Sequence, residues 1–408
     1  MKPIILYIIM LTATVSCQSG GEKAGNKNGD MHEKGTFGYD LAFLQARDSV
    51  IVLSNQAGNG QIIVSPGYQG KVFTSTAAGL TGKSFGWVNH SAFDQEIDPH
   101  MNAYGGEDRL WLGPEGGPFS LYFKPGMPMT FENWHTPPAI DIEKWDLVSA
   151  DSQQVSMSKS MQLLNYAGTP LAIRIDREVR ILENENITHD LGVELGADVQ
   201  AVGFATMNTL TNSGTFAWDK TTGAPCMWNL DMFAPAPNTV ILIPYEEQGD
   251  GKVATTDYFG EIESSRIAYH NGVLFFKADG NSRGKLGLSP QRAKPIAGSY
   301  DPDNNILTIT KYDVHKDAVY LNQEWTTDKD PFVGDAVNAY NDGPLEDGGQ
   351  MGPFYEIESV SPAAFLQPNE KMVHHHNVYH FIGDETQLEE IARKVLGVSF
   401  ADISNAFN

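Results

Sequence analysis

The sequence predicts a mainly β protein, a large antiparallel β-sandwich with one C-terminal helix, and three observations carry that prediction. Short runs of β-branched and aromatic residues recur along the chain. Turn-forming residues separate them, and no amphipathic segment long enough for a crossover helix lies between them, which argues against a parallel βαβ protein.

The runs fall at 50–53, 61–64, 71–75, 171–182, 199–207, 238–245, 272–278, 305–312, 318–325, 354–360 and 371–381. Ser65-Pro66-Gly67, Asp250-Gly251, Asp279-Gly280 and Asp301-Pro302-Asp303 mark reversals, and 40 glycines with 22 prolines supply the residues that many tight turns need. Leu171, Ile173 and Ile175 alternate with Arg174 and Asp176, so one face of that strand goes to a core and the other outward. At the C-terminus Thr386 and Glu389 have the spacing of a capping box. Leu388, Ile391, Ala392, Val395 and Leu396 share one helix face, and Gly397 stops it. A helix of this kind docks on a sheet and carries no sign of function.

The N-terminus predicts export. Lys2 precedes an apolar run over 4–15, shorter than the roughly 20 residues a spanning helix needs. Thr14-Val15-Ser16-Cys17 resembles a bacterial lipoprotein lipobox, with Thr14 where Leu is usual. The resemblance implies acylation of Cys17 and a lipid-anchored protein of the cell envelope. An ordinary signal peptide with a chance cysteine is the alternative. Residues 18–36 are mainly Gly, Asn, Lys and Glu, which suits a solvated tether. The expected organisation is a signal at 1–16, a tether at 17–36 and one domain over 37–408.

A formal charge of −23 argues against nucleic acid, which needs clustered Lys and Arg. It also disfavours anionic polymers. The two cysteines, Cys17 and Cys226, form no disulfide framework and no CxxC zinc pair. Cys226 is expected as a small buried apolar side chain.

Four segments concentrate polar and aromatic residues: 102–123, 208–233, 333–355 and 371–380. The run GGEDRLWLGPEGGPFSLYF, followed by GDAVNAYNDGP and YEIESVSPAAFLQPNEKMVHHH, resembles envelope lipoproteins with a galactose mutarotase-like fold. The epimerase signatures Asn-His-Pro and His-x-Tyr-Phe-Asn-Leu are absent. The resemblance implies a galactose mutarotase-like supersandwich over 37–408 and acid–base chemistry on a sugar. A late-strand carboxylate would take the anomeric proton while a histidine protonates the ring oxygen.

Glu356 and Glu358, two apart, share one face of a strand before Ser361-Pro362, and Glu358 is slightly preferred as the base. Two carboxylates on one face repel, which raises one pKa in a dry site. Equally, one pairs with an arginine and both are structural. His135 and the cluster His374, His376 and His380 are the acid candidates; on a strand these three share a face and His375 points away. His374 and His376 also have metal-binding spacing, to which Glu356 or Glu358 could add a ligand, so a divalent metal is a minor option and no other cofactor is expected. Asp335, Asn338, Asn341 and Asp342 sit in what reads as a loop suited to sugar hydroxyls or, less so, calcium; Asx turns explain it equally. Arg109 could grip a hydroxyl above Trp111 as a stacking platform, or form an internal ion pair. Asn208, Asn212 and Trp228 complete the polar set. The GNSRGKLG run at 280–287 lacks a following helix and is no phosphate loop. Three functions are compatible with these residues: a carbohydrate-active, epimerase-like enzyme; a non-catalytic carbohydrate-binding lipoprotein; or a structural envelope protein.

Overall fold

The computed structural model describes residues 32–249, 251–345 and 348–408; the expected export signal, Cys17 and most of the expected tether lie outside the described residues. Two antiparallel sheets dominate. The larger has ten strands, in spatial order Ile267–His270, Val273–Lys277, Val240–Pro244, Ile296–Asp301, Ile306–Tyr312, Lys371–Gly383, Val199–Asn212, Pro170–Ile181, Gln154–Leu164 and Asp146–Ala150. The smaller has five: Gly284–Leu288, Val337–Asn341, Tyr355–Val360, Cys226–Phe233 and Arg109–Gly113. A three-stranded sheet of Ile51–Ser54, Gln61–Ser65 and Lys71–Thr76 joins the smaller sheet through single bridges such as Val72 to Asp108.

Alternation along the strands builds the layers. Leu171, Ile173 and Ile175 are buried, and they share one core with Leu110, Leu112, Ala339 and Ile357 of the five-stranded sheet. The other face of the large sheet presents Leu307, Ile309, Tyr379 and Phe381 to helices. Helix Glu385–Leu396 covers it with Leu388, Ile391, Ala392 and Leu396, each large side chain stabilising by about 1.5–3 kcal/mol. Gly397 ends that helix in the left-handed conformation. Its N-cap is Asp384, which accepts from the Thr386 and Gln387 N–H groups; the expected box centred on Thr386 starts two residues too late. Shorter helices at Phe37–Gln45, Asn184–Leu191 and Phe400–Asn405 complete the α-helices among the described residues. No helix among the described residues is long and apolar enough to cross a membrane.

Two expectations are corrected. Residues 318–325 are irregular, with a single β-bridge from Tyr320 to Val333. Residues 335–342 are no loop: Val337–Asn341 is an interior strand of the small sheet, paired on both edges. Gly105 shapes the approach to the Arg109 strand. At φ +86° it lies so close to Trp87 that an added Cβ would meet the Trp87 carbonyl at 2.1 Å, so only glycine lets the chain enter the strand there.

Candidate functional site

The outer face of the five-stranded sheet carries a cleft of about 620 Å³ open to solvent. Period-two geometry places its floor: Arg109 and Trp111 from one strand, Trp228 from the next, then Glu356 and, across the sheet, Tyr340 and Lys285. The floor is charged and buried. Arg109 donates to Glu356 Oε1 at 2.5 Å. Glu358 Oε2 accepts from the Trp228 indole at 2.8 Å and pairs with the Lys285 ammonium at 3.1 Å. That ammonium also lies 4.4 Å from the Trp228 ring.

Burial pushes the Glu356 carboxyl up to about 8, against the pull of Arg109 and with the Glu358 charge adding to the rise. Glu115, on the turn after the Arg109 strand, is a third buried carboxyl. Burial raises its pKa as well, opposed by Lys285 and by the Trp325 and Trp134 indoles. Lys285 thus works on Glu115, Glu356 and Glu358 together. Trp134 and Trp325 form one wall, and Phe131, Phe259 and Met351 stand exposed at the rim. The arrangement can hold a ligand with apolar faces and many hydroxyls, against the carboxyls of Glu115 and Glu356 and the cations Arg109 and Lys285.

Arg109, Trp111, Trp228 and Glu356 therefore meet in one cleft, with Glu358 directly beneath it. The histidines do not join them. His374, His376 and His380 share a face, but that face looks into the core between the sheets, and all three are buried. Asp231 Oδ2 lies 2.8 Å from His376 Nε2, His376 Nδ1 lies 2.8 Å from Ser359 Oγ, and Ser359 Oγ lies 2.9 Å from His374 Nε2. The order Asp–His–Ser suggests a nucleophile relay, yet Ser359 is fully buried and no substrate can reach it. Burial drops His374 to about 3; Asp231 keeps His376 above its ordinary value despite burial, while burial carries Asp231 itself up to about 7. Farther along, His380 bridges Glu107 at 2.9 Å and Thr308 at 2.8 Å, and Arg177 pairs with Asp108 at 3.2 Å. Among the described residues no group of three His, Cys, Asp or Glu is placed to hold a metal, His374 and His376 included.

The remaining candidates have internal partners. His135 lies outside the cleft, donating from Nδ1 to the Pro99 carbonyl at 2.8 Å. Asn208 accepts from Arg177 at 2.8 Å, and Asn212 donates to the Phe216 and Leu366 carbonyls at 2.9 Å. Asn338 donates to the Leu286 carbonyl and lies under Tyr258, whose hydroxyl donates to Asp335 at 2.7 Å. Asn341 donates to the Ser282 carbonyl at 2.8 Å, and Asp342 accepts from Tyr340 at 3.0 Å. Cys226 is buried and free, its thiol pushed up to about 12 by burial. Lys285, Glu115, Trp134 and Trp325 went unidentified in the sequence. Glu115 lies inside the GPEGGP run, within a segment dense in polar and aromatic residues, and Trp134 adjoins His135, so both were within reach.

No curated protein matches the chain in sequence. The fold is shared with the Slr1438 protein of Synechocystis sp. PCC 6803, at 13% identity over 83% of this chain and 97% of that one, with a TM-score of 0.52. A galactose mutarotase-like protein from Lactobacillus casei is also similar, at 11% identity over 81% of this chain and 100% of that one, with a TM-score of 0.47. A family model covers nearly the whole described chain, residues 35–407, and the protein belongs to that family, described as a family of unknown function (DUF6786).

Proposed function

We propose that this protein binds a carbohydrate in the cleft on its five-stranded sheet, and does so as a lipid-anchored protein of a bacterial envelope. One observation supports the binding reading above the others: Trp111 and Trp228 share the floor of one cleft with paired charges, and Trp134 and Trp325 wall it. Indole faces suit the C–H side of a pyranose, and buried carboxylates and cations suit its hydroxyls. Isothermal calorimetry against a panel of neutral sugars is expected to show saturable binding that Trp111→Ala weakens. No saturable heat from any of them, with the protein folded, rules the reading out. The anchor is tested separately: metabolic labelling with a clickable fatty acid should mark the wild type and not Cys17→Ser.

A second reading is favoured by the raised Glu356 carboxyl. At neutral pH Glu356 keeps its proton and can give it to a ring oxygen, while a second cleft carboxylate takes the proton of the anomeric hydroxyl. The ring C–O bond then breaks and an aldehyde forms, with the histidine of the epimerase scheme replaced by a carboxyl. NMR of a freshly dissolved aldose would show faster anomer exchange with wild type than with Glu356→Gln. Equal rates would leave binding alone.

A further inference from the structure

The cleft continues past its aromatic wall. Beyond Met101, Phe131, Trp134 and Met351 lies a second depression of about 1010 Å³ open to solvent, and these four side chains line both. The other walls of the second depression are polar, with Asn89, Gln95, Glu96, Asp98, His100 and Gln350 among them. No Lys or Arg among the described residues lines it.

A run of near-parallel rings connects the two. Trp325 faces Trp134 at 5.8 Å and 24°, and Trp134 faces Phe131 at 6.2 Å and 20°. Phe131 faces His100 at 4.7 Å and 23°, and His100 faces His135 at 4.7 Å and 6°. The imidazoles are pinned: each donates from Nδ1 to a carbonyl, His100 to Trp134 at 2.6 Å and His135 to Pro99 at 2.8 Å. At the crossing point Phe131 is 60% exposed and Met351 40%. Apolar rim groups lie between two polar depressions, one of them acidic.

We infer that the ligand is a neutral oligosaccharide of two or more units, one held in the charged cleft and the next carried across the ring run into the acidic depression. The inference rests on the carbohydrate reading above and goes further in fixing length and charge. A single sugar ring engages one depression and leaves the other side of Phe131 and Met351 in water. A chain that occupies both depressions covers these apolar side chains from both sides, because Phe131 and Met351 line the two alike. Glu96 and Asp98 accept hydrogen bonds from hydroxyls but repel a uronate or sulfate, and the charge of −23 acts in the same sense.

Calorimetry with the full chain tests this, using the mono-, di-, tri- and tetrasaccharides of neutral β-glucan, galactan and xylan series and a uronate trimer. In the series that binds, the trimer is expected to bind about tenfold more tightly than the monomer, and the uronate trimer at least about tenfold more weakly than the neutral one. Two variants remove the second subsite by different routes: Phe131→Ala deletes the crossing ring, and Ser91→Trp fills the depression. Both should bring the trimer-to-monomer ratio close to one, with near-UV circular dichroism reporting that the fold is kept. Equal affinity for monomer and trimer, or a ratio that survives both variants, overturns the two-subsite inference and leaves carbohydrate binding intact. A uronate that binds as well as the neutral trimer overturns the charge assignment. Failure of every sugar overturns this inference and the reading beneath it together.

Discussion

The two faces of the strand Tyr355–Val360 hold polar side chains under opposite conditions. Outward, Glu356 and Glu358 meet Arg109, Lys285 and the Trp228 indole at the floor of a cleft. Inward, Ser359 links His374 and His376 in a core that no solvent reaches. Both sets are buried, charged or titratable, and hydrogen-bonded, so residue type alone does not separate them. Access does. The inward set links side chains of the two sheets inside the core, whereas the outward set lies under open space; each holds a carboxyl that burial shifts toward neutrality, Asp231 inside and Glu356 outside. Burial with access marks a site, whereas burial without it marks architecture.

The largest effect expected from this contrast lies on the inward side. Asp108 and Arg177 are both fully buried, and Asp108→Ala strands the guanidinium. A loss of about 3–5 kcal/mol in urea denaturation is expected, with sugar affinity per folded molecule retained. A loss below about 1 kcal/mol would break the comparison, since the inner network would then hold nothing together. Next, Trp228→Phe keeps the ring but removes the donor to Glu358 Oε2. Its expected cost is about 1–3 kcal/mol, checked by the same denaturation.

The pH response sharpens the contrast further. Glu356 titrates at about 8 in the folded protein and near 4.3 when unfolded, so the native state holds the proton more tightly. Its contribution to stability is therefore complete below about pH 4 and is lost as pH rises through about 8. Wild type should lose thermal stability relative to Glu356→Gln between pH 6 and 9; parallel curves would assign the outward carboxyl no such shift. The smallest effect belongs to His375, on the exposed side of the histidine strand and paired with Asp313 at 2.9 Å. His375→Ala should cost no more than about 1 kcal/mol.

Much of the fold was legible because apolar alternation writes it directly. The runs at 171–182, 199–207 and 371–381 are long strands of the large sheet, and the shared face of His374, His376 and His380 was right. The small sheet was harder. Cys226–Phe233 is buried on both faces, and Val337–Asn341 carries Asn338, Tyr340 and Asn341, so neither shows alternation. Their polar groups reach neighbours distant in sequence, as the Asn338 amide N–H reaches the Leu286 carbonyl. For the site, strand parity put Glu356 and Glu358 on one face but could not say which sheet lay opposite the histidines. Lys285 was hidden for a different reason: in GNSRGKLG, between glycines, it gives no strand signal, although it works on all three cleft carboxyls.

The ten-stranded sheet leaves its last strand, Asp146–Ala150, with one free edge, and all five residues there are exposed. Between Leu147 and Ser149 the pairing slips by a bulge, so the strand bends and its outward N–H and C=O groups fall out of step. A second copy would find no straight ladder there to extend, and the irregularity guards a wide open sheet against stacking edge to edge.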